Sequence, residues 1–534
     1  MKGMVELHSC AEEKSVMSFP LGALCIKTAV NGDGKLPHAV LFEHYRDENP
    51  KEAAESCALR KPFAVGLSVY IWNSEWCDEF AEKLKSLCPE TVIFAGGPQM
   101  AKYADSYLTG EFPNPVYTFV VVGEAETAVV KSLHRISEGK SVEKVIKDEV
   151  PDLNSLGSVF LSGEADRQLE ITDGILWELS RGCPFGCAFC FEGRGKKTVR
   201  SYPFERIEAE LGYLVGRNVK NIFVLDPVFN LNRERAKKIM NLLIEKCPDY
   251  MHFTFEVRAE LLDDELAKMF SRLNCSLQIG LQSSNEKVLE NIGRTFDKQV
   301  FVSKTALLNR YGAAFGLDII IGLPGDTLES FKKTVNFAVS LMPSNIDCFV
   351  LSLLDGTELA NNAKALGLVA QNDGYHTLKH SVTMSEQDIA EACRIRDSLD
   401  LFYTKGEAGM WVHCLLEALN ITCCNLLELF DRWMSQTGRS EDEDIWILQD
   451  DFVTSLLKKT KNAKLIPAMK SFMELHQAIC YVTDTGEDAI LDLSYGVDEL
   501  ALLDSMSLSE FEKTHRIHKL RLVASLEDGD VVFR

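Results

Sequence analysis

The sequence predicts an α/β protein in three parts: an N-terminal doubly wound parallel sheet, a partial (β/α)6 barrel and a mainly helical C-terminal domain. Three observations carry this. Short β-branched runs alternate with helical periods over the first 150 residues. The same alternation restarts at Ile175 and recurs six times. After about residue 383 the strand pattern gives way to helices. The expected divisions are 1–150, a polar linker at 151–174, the barrel at 175–382 and a helical or α+β cap at 383–534.

In the first part, strands are expected at 38–43, 63–70, 91–95 and 118–122, with helices at 21–30, 75–86 and 127–136. Gly96-Gly97-Pro98 and Gly123-Glu124 follow two of the strands, and ligands bind at the carboxyl ends of doubly wound sheets. In the second part, strands fall at 175–178, 221–225, 252–257, 275–279, 315–321 and 346–353. Their helices fall at 204–216, 233–245, 263–271, 285–291, 298–311 and 327–341. Six units are too few for the closed eight-stranded barrel. In the third part, 388–403 and 411–433 have helical period, and strand-like pieces lie at 478–483, 491–492 and 519–524.

The formal net charge of −22 excludes a broad nucleic-acid surface. No signal peptide and no long apolar run is evident. Sixteen scattered cysteines in a chain this long indicate reduced core residues and a cytoplasmic protein. One group stands apart: Cys183, Cys187 and Cys190, spaced C-x3-C-x2-C. Three thiolates can hold three irons of a 4Fe–4S cluster and leave the fourth iron open for another ligand. Zinc sites close with four ligands, and the next cysteine, Cys247, is more than 50 residues away. Such an open cluster is oxygen-labile, so a cell with low internal oxygen is expected.

The run RGCPFGCAFC, the strand–helix repeats after it and the segment GLPGDT resemble the radical SAM enzymes from about residue 175 to 360. The resemblance implies that S-adenosylmethionine binds the open iron and is cleaved to a radical that abstracts hydrogen. It also implies an electron donor such as flavodoxin or ferredoxin. Polar residues at barrel strand ends face the mouth, so Asp226, Glu256, Arg258, Gln282, Ser283 and Gly322 are the candidates to hold S-adenosylmethionine. A guanidinium matches a carboxylate in a two-pronged bond, which favours Arg258 for the carboxylate.

The runs GLSVYIWN, GGPQ and VVGEAE resemble the N-terminal domain of cobalamin-dependent radical SAM enzymes, over residues 15–140. Ser68, Tyr70, Trp72, Gly96, Gly97, Gly123 and Glu124 are then the expected cobalamin contacts. The Asp-x-His-x-x-Gly motif of many cobalamin domains is missing, and His44 does not sit in one. No G-x-G-x-x-G follows the first strand, which weighs against a dinucleotide site. The implied cofactors are a 4Fe–4S cluster, S-adenosylmethionine and cobalamin.

The implied reaction is methyl transfer from S-adenosylmethionine through methylcobalamin to an unreactive carbon. Alternatives are a cobalamin-dependent rearrangement, cyclisation or reduction, and a non-catalytic cobalamin or redox sensor. The substrate is expected to be a small molecule or a peptide, with no nucleic acid or membrane partner. A chain that carries its own cofactor domain and cap points to a monomer. Asp355, Tyr375, His380 and Tyr403 are candidates on the substrate side. Cys414, Cys423 and Cys424 read as core.

Overall fold

The structure is a computed structural model describing residues 3–108, 116–147, 150–171, 174–192, 198–527 and 529–534. Residues 172–173 of the expected linker lie outside the described residues. The chain divides into two compact units. One comprises Met1–Leu277, Ile292–Arg294 and Ser352–Lys379. The other comprises Gln278–Asn291, Thr295–Leu351 and His380–Arg534.

The N-terminal sheet has six strands: β1 (Val5–Ala11), β2 (Ala39–Tyr45), β3 (Ala64–Ser68), β4 (Val92–Gly96), β5 (Phe119–Val122) and β6 (Val145–Lys147). Their order is 2-1-3-4-5-6 and every pairing is parallel. Helices α1 (Leu21–Asp33), α2 (Pro50–Arg60), α3 (Ser74–Leu87), α4 (Met100–Leu108) and α5 (Glu126–Ser137) connect them. Asn49 caps α2 through the Lys51 amide, and Pro50 fits the first turn, where an N–H would be unpaired.

β1 is the strand the sequence pattern does not announce. It lies inside the sheet, yet it carries Glu6 and His8, both fully buried. Arg60, from the last turn of α2, grips both oxygens of Glu6 at 2.9 and 2.7 Å. A buried charge persists only when paired in this way. Cys10, Cys57, Trp76, Phe80 and Leu84 belong to the apolar cluster on the same side of the sheet.

The expected linker is not an open tether. Residues Leu153–Ser155 and α6 (Asp166–Ile171) are helical, and Val159, Phe160 and Ala165 are buried.

The second sheet begins with β7 (Gly174–Glu178). A two-residue ribbon follows, β8 (Ser180–Arg181) against β9 (Arg200–Ser201). The remaining strands are β10 (Asn221–Leu225), β11 (His252–Val257), β12 (Cys275–Gln282), β13 (Phe315–Ile321) and β14 (Asn345–Val350). The order is 14-13-12-11-10-7, an open run of six that advances one strand at a time. The intervening helices are α7 (Phe204–Gly216), α8 (Arg233–Lys246), α9 (Asp264–Phe270), α10 (Glu286–Glu290), α11 (Lys298–Tyr311) and α12 (Leu328–Val339).

Beyond His380 the chain is mainly helical, around a core of Phe402, Trp411, Phe430, Trp433 and Phe452. Cys414, Cys423 and Cys424 are buried in it. A three-stranded antiparallel sheet of Ala489–Leu493, Leu520–Glu527 and Asp530–Phe533 closes the chain. The run 478–483 differs from expectation: it is the last part of the helix Ile466–Thr485. Its β-branched residues are overruled by a helical face in which Phe472, Leu475, Ala478 and Val482 are buried. Among the described residues no single helix is long and apolar enough to cross a membrane.

Candidate functional site

The three cysteines sit on the loop after β7, which the β8–β9 ribbon pinches at its base. Gly182 opens the loop at φ +90°, and a Cβ there would lie 2.5 Å from the Thr198 carbonyl, so only glycine fits. The middle of the loop is held from two sides. Ala188 N donates to Ile292 O at 2.9 Å, and Leu359 N donates to Ala188 O at 2.9 Å. Cys190 N donates to Cys187 O at 3.0 Å, which turns the last two thiols onto one short arc. None of the three is in a disulfide, and all are partly exposed. Three sulfur donors on one loop, with no fourth beside them in sequence, fit an iron–sulfur cluster with one open iron.

Arg181 stands two residues before Cys183. Its guanidinium donates to Glu178 at 2.9 Å, to Glu124 at 2.8 Å and to Glu126 at 2.7 Å. Burial opposes its charge, but Glu178 and Glu126 outweigh that and hold its pKa above the ordinary value. Arg200 also binds Glu124 and donates to the Pro151 carbonyl at 3.0 Å. Glu124 and Glu126 follow β5, so this cluster of charges ties the cysteine loop to the carboxyl edge of the N-terminal sheet. Glu124 was expected at the cobalamin, and its oxygens are held by two arginines. Arg181 is the residue that sequence reasoning missed. The signal was present: a lone arginine before the cysteines and a Glu-x-Glu pair after a strand.

The other candidates beside this loop are already engaged. Arg258 lies over the Phe185 ring at 3.9 Å, and its Nε donates to Glu260 at 2.6 Å. Asn230 brackets the Arg258 backbone with two hydrogen bonds. Asp226, 4% exposed, pairs with Arg235 at 3.0 Å. Glu256 lies on β11, whose next-but-one residue is Arg258.

In the other unit, Gln282 ends β12 with φ +66°, a conformation non-glycine residues seldom adopt. It is buried, and its amide oxygen has no hydrogen-bond partner. The Ser283 hydroxyl accepts from Asn285 N at 3.1 Å and faces Thr334 at 3.5 Å. Gly322 follows β13 at φ +88°. Asp326, buried, accepts from Thr327 N at 3.0 Å, and burial pushes its carboxyl up to about 6. Tyr403 is fully buried and donates to Pro343 O at 2.8 Å.

At the N-terminal sheet edge, the order reverses between β1 and β3, which makes a switch point. Asn73 spans it, donating to Cys10 O at 2.8 Å and Ser68 O at 3.0 Å. Tyr70 and Trp72 stack on each other, centroids 4.4 Å apart. Gly97 has φ +116°, and a Cβ there would lie 2.3 Å from Val69 O, so its missing side chain is taken up by protein backbone. Gly123 has φ +103° with nothing within 4 Å of its Cβ position. Gly96 is nearly as open, with only Ala125 Cβ at 3.8 Å. His44 faces His8 and Glu48. Asp355 binds Gln99 at 2.8 Å, and Tyr375 binds Arg46 and Glu12.

Residues 177–338 match the Radical SAM superfamily. The cobalamin-dependent radical SAM methyltransferase TokK of Streptomyces tokunonensis is 24% identical over 353 residues, 59% of this chain and 50% of its own. The 2-(S-pantetheinyl)-carbapenam-3-carboxylate methyltransferase of Streptantibioticus cattleyicolor is 24% identical over 357 residues, 60% of this chain and 51% of its own. The chain spans about half the length of these curated relatives. Among solved structures, the cobalamin-dependent S-adenosylmethionine radical enzyme OxsB with aqua-cobalamin bound gives a TM-score of 0.59 at 13% identity, over 96% of this chain and 84% of that one. The radical S-adenosylmethionine methyltransferase TsrM of Kitasatospora setae gives 0.56 at 15% identity, over 69% and 78%. The chain is thus similar to radical SAM enzymes over residues 177–338 and, over 59% of its length, to a cobalamin-dependent radical SAM methyltransferase. Enzymes of this kind typically use a 4Fe–4S cluster, S-adenosylmethionine and cobalamin.

Proposed function

We propose that the protein is a cobalamin-dependent radical SAM C-methyltransferase acting on a small molecule or peptide. The observation that carries this reading is the Arg181 tie: it fastens the cysteine loop to Glu124 and Glu126 at the edge expected to hold cobalamin. When bound, the cluster supplies an electron to S-adenosylmethionine for hydrogen abstraction, and cobalamin carries the methyl group.

The chain's own residues divide the remaining work. Cys183, Cys187 and Cys190 hold the cluster. Gln282 offers a buried, unpartnered amide oxygen to the ribose or amino group of S-adenosylmethionine, and Gly322 offers backbone. Ser283, Asp226 and Arg258 position their own loops, since each is held by protein neighbours. Gly96 and Gly123 leave open space for the cobalamin tail, with Ser68 beside the switch point. Glu256, Tyr70, Trp72 and Glu124 shape the walls, and Gly97 packs on Val69, beside Tyr70 and Trp72. The protein acts as a cytoplasmic monomer, with a flavodoxin or ferredoxin as electron donor.

The deciding experiment is anaerobic reconstitution with iron, sulfide and hydroxocobalamin. About four irons and one cobalt per chain are expected. Methyl-labelled S-adenosylmethionine is then expected to yield S-adenosylhomocysteine together with 5′-deoxyadenosine. Four irons without cobalt would overturn the methyl-transfer reading.

A further inference from the structure

The buried polar residues of β1 are not used by the reaction above. Glu6 and His8 are two residues apart on the strand, so their side chains share one face. Cys57 of α2 lies against them. One ligand atom from each of Glu6, His8 and Cys57 lies within 4.8 Å of the other two, and all three residues are buried.

The tautomers follow from the hydrogen bonds. His44 Nδ1 lies 2.9 Å from a Glu48 carboxylate oxygen. A carboxylate only accepts, so His44 Nδ1 carries the hydrogen. His8 Nδ1 lies 2.9 Å from His44 Nε2. With both rings neutral, His8 Nδ1 donates to His44 Nε2 and His8 Nε2 is free to take a metal. That nitrogen is buried and has no hydrogen-bond partner. It lies 3.4 Å from Glu6 Oε2. Two ligands bonded to one zinc ion at about 2.0–2.1 Å stand about 3.3 Å apart in a tetrahedron. The observed gap is that edge.

We infer that Glu6, His8 and Cys57 form a buried binding site for a divalent zinc-like cation, separate from the cysteine loop. Oxygen, imidazole and thiolate donors suit zinc. The surroundings supply what a metal-bound histidine needs. His8 Nδ1–H is held by His44, which is held in turn by Glu48. Arg60 donates to each Glu6 oxygen, and the Cys57 thiol, which hydrogen-bonds Glu6, would give up its proton to the metal. The His8 ring is fixed between Phe42 at 5.1 Å and Phe80 at 4.6 Å. Two positive charges on the metal and one on Arg60 balance the Glu6, Cys57 and Glu48 anions. The cation would join β1 to α2.

The test uses the full chain carrying Cys183→Ala, Cys187→Ala and Cys190→Ala, so that no cluster competes. It is stripped with a chelator and titrated anaerobically with Co2+. One equivalent is expected, with an intense thiolate-to-cobalt absorption that Zn2+ abolishes. Adding His8→Asn or Cys57→Ser is expected to remove that equivalent, and His44→Asn to weaken it at least about tenfold. Zinc should raise the Tm of the parent and leave that of the Cys57→Ser chain unchanged. X-ray absorption of the bound zinc should show one sulfur among nitrogen and oxygen neighbours. No bound equivalent in the parent, an all-sulfur shell, or undiminished binding in both ligand variants overturns the inference. The parent titration and the absorption spectrum decide even where a ligand variant does not fold.

Discussion

The two six-stranded sheets are built from the same parts and make different sites. The barrel sheet advances strand by strand, 7 to 14, without reversing. It has no switch-point crevice of its own, so its chemistry is carried by a loop inserted after the first strand. Polar residues at its strand ends are fastened to neighbours, as Asp226 is to Arg235 and Arg258 to Glu260. The N-terminal sheet reverses at β1 and opens a crevice without help. Its edge is made of backbone and glycines. One edge carries side chains already held by protein neighbours, and the other carries glycines with open space beside them.

The largest break in this comparison is removal of the inserted loop's function. Cys183→Ala, Cys187→Ala or Cys190→Ala should each bring reconstituted iron from about four per chain to background. Cobalt retention should be unaffected if the crevice is independent. Iron and cobalt analysis of one sample checks both. Arg181→Met strikes the tie between the sheets. It leaves three carboxylates without their cation and should cost about 3–5 kcal/mol of stability, measured by urea unfolding.

Two glycines test whether the N-terminal edge is truly open. Gly97→Ala drives a Cβ into Val69 O and should cost about 3 kcal/mol or more. Gly123→Ala meets no atom, so only backbone strain of about 1–2 kcal/mol is expected. The fold should survive, while cobalt retention drops. Equal losses of stability would show that both glycines serve packing alone.

Between these in size is the barrel's buried acid. The Asp326 carboxyl is raised from 3.8 to about 6, so the folded state holds its proton longer than the unfolded chain does. Its contribution to stability is complete below pH 4 and is lost as pH rises through 6, an effect of about 2–3 kcal/mol. Asp326→Asn should flatten that slope in unfolding curves taken from pH 4 to 7.

The cysteine loop was legible because its ligands lie within eight residues of one another. The barrel strands were legible because their runs are apolar and evenly spaced. β1 was not, since Glu6 and His8 break the apolar pattern of an interior strand. Their partner, Arg60, arrives 54 residues later. Arg181 escaped for a related reason: its value lies in Glu124 and Glu126, more than 50 residues upstream. The run 478–483 misled because local β-propensity lost to a helical face that only tertiary packing reveals.

The segment Ser352–Lys379 of the first unit has a consequence for the order in which the molecule is made. Leu359 holds the cysteine loop at Ala188, and Asp355 holds Gln99 of the N-terminal sheet. Both contacts wait until about 380 residues have left the ribosome, on the order of tens of seconds at ordinary synthesis rates. During that interval the nascent chain presents its three thiols on a loop with one side still unlatched.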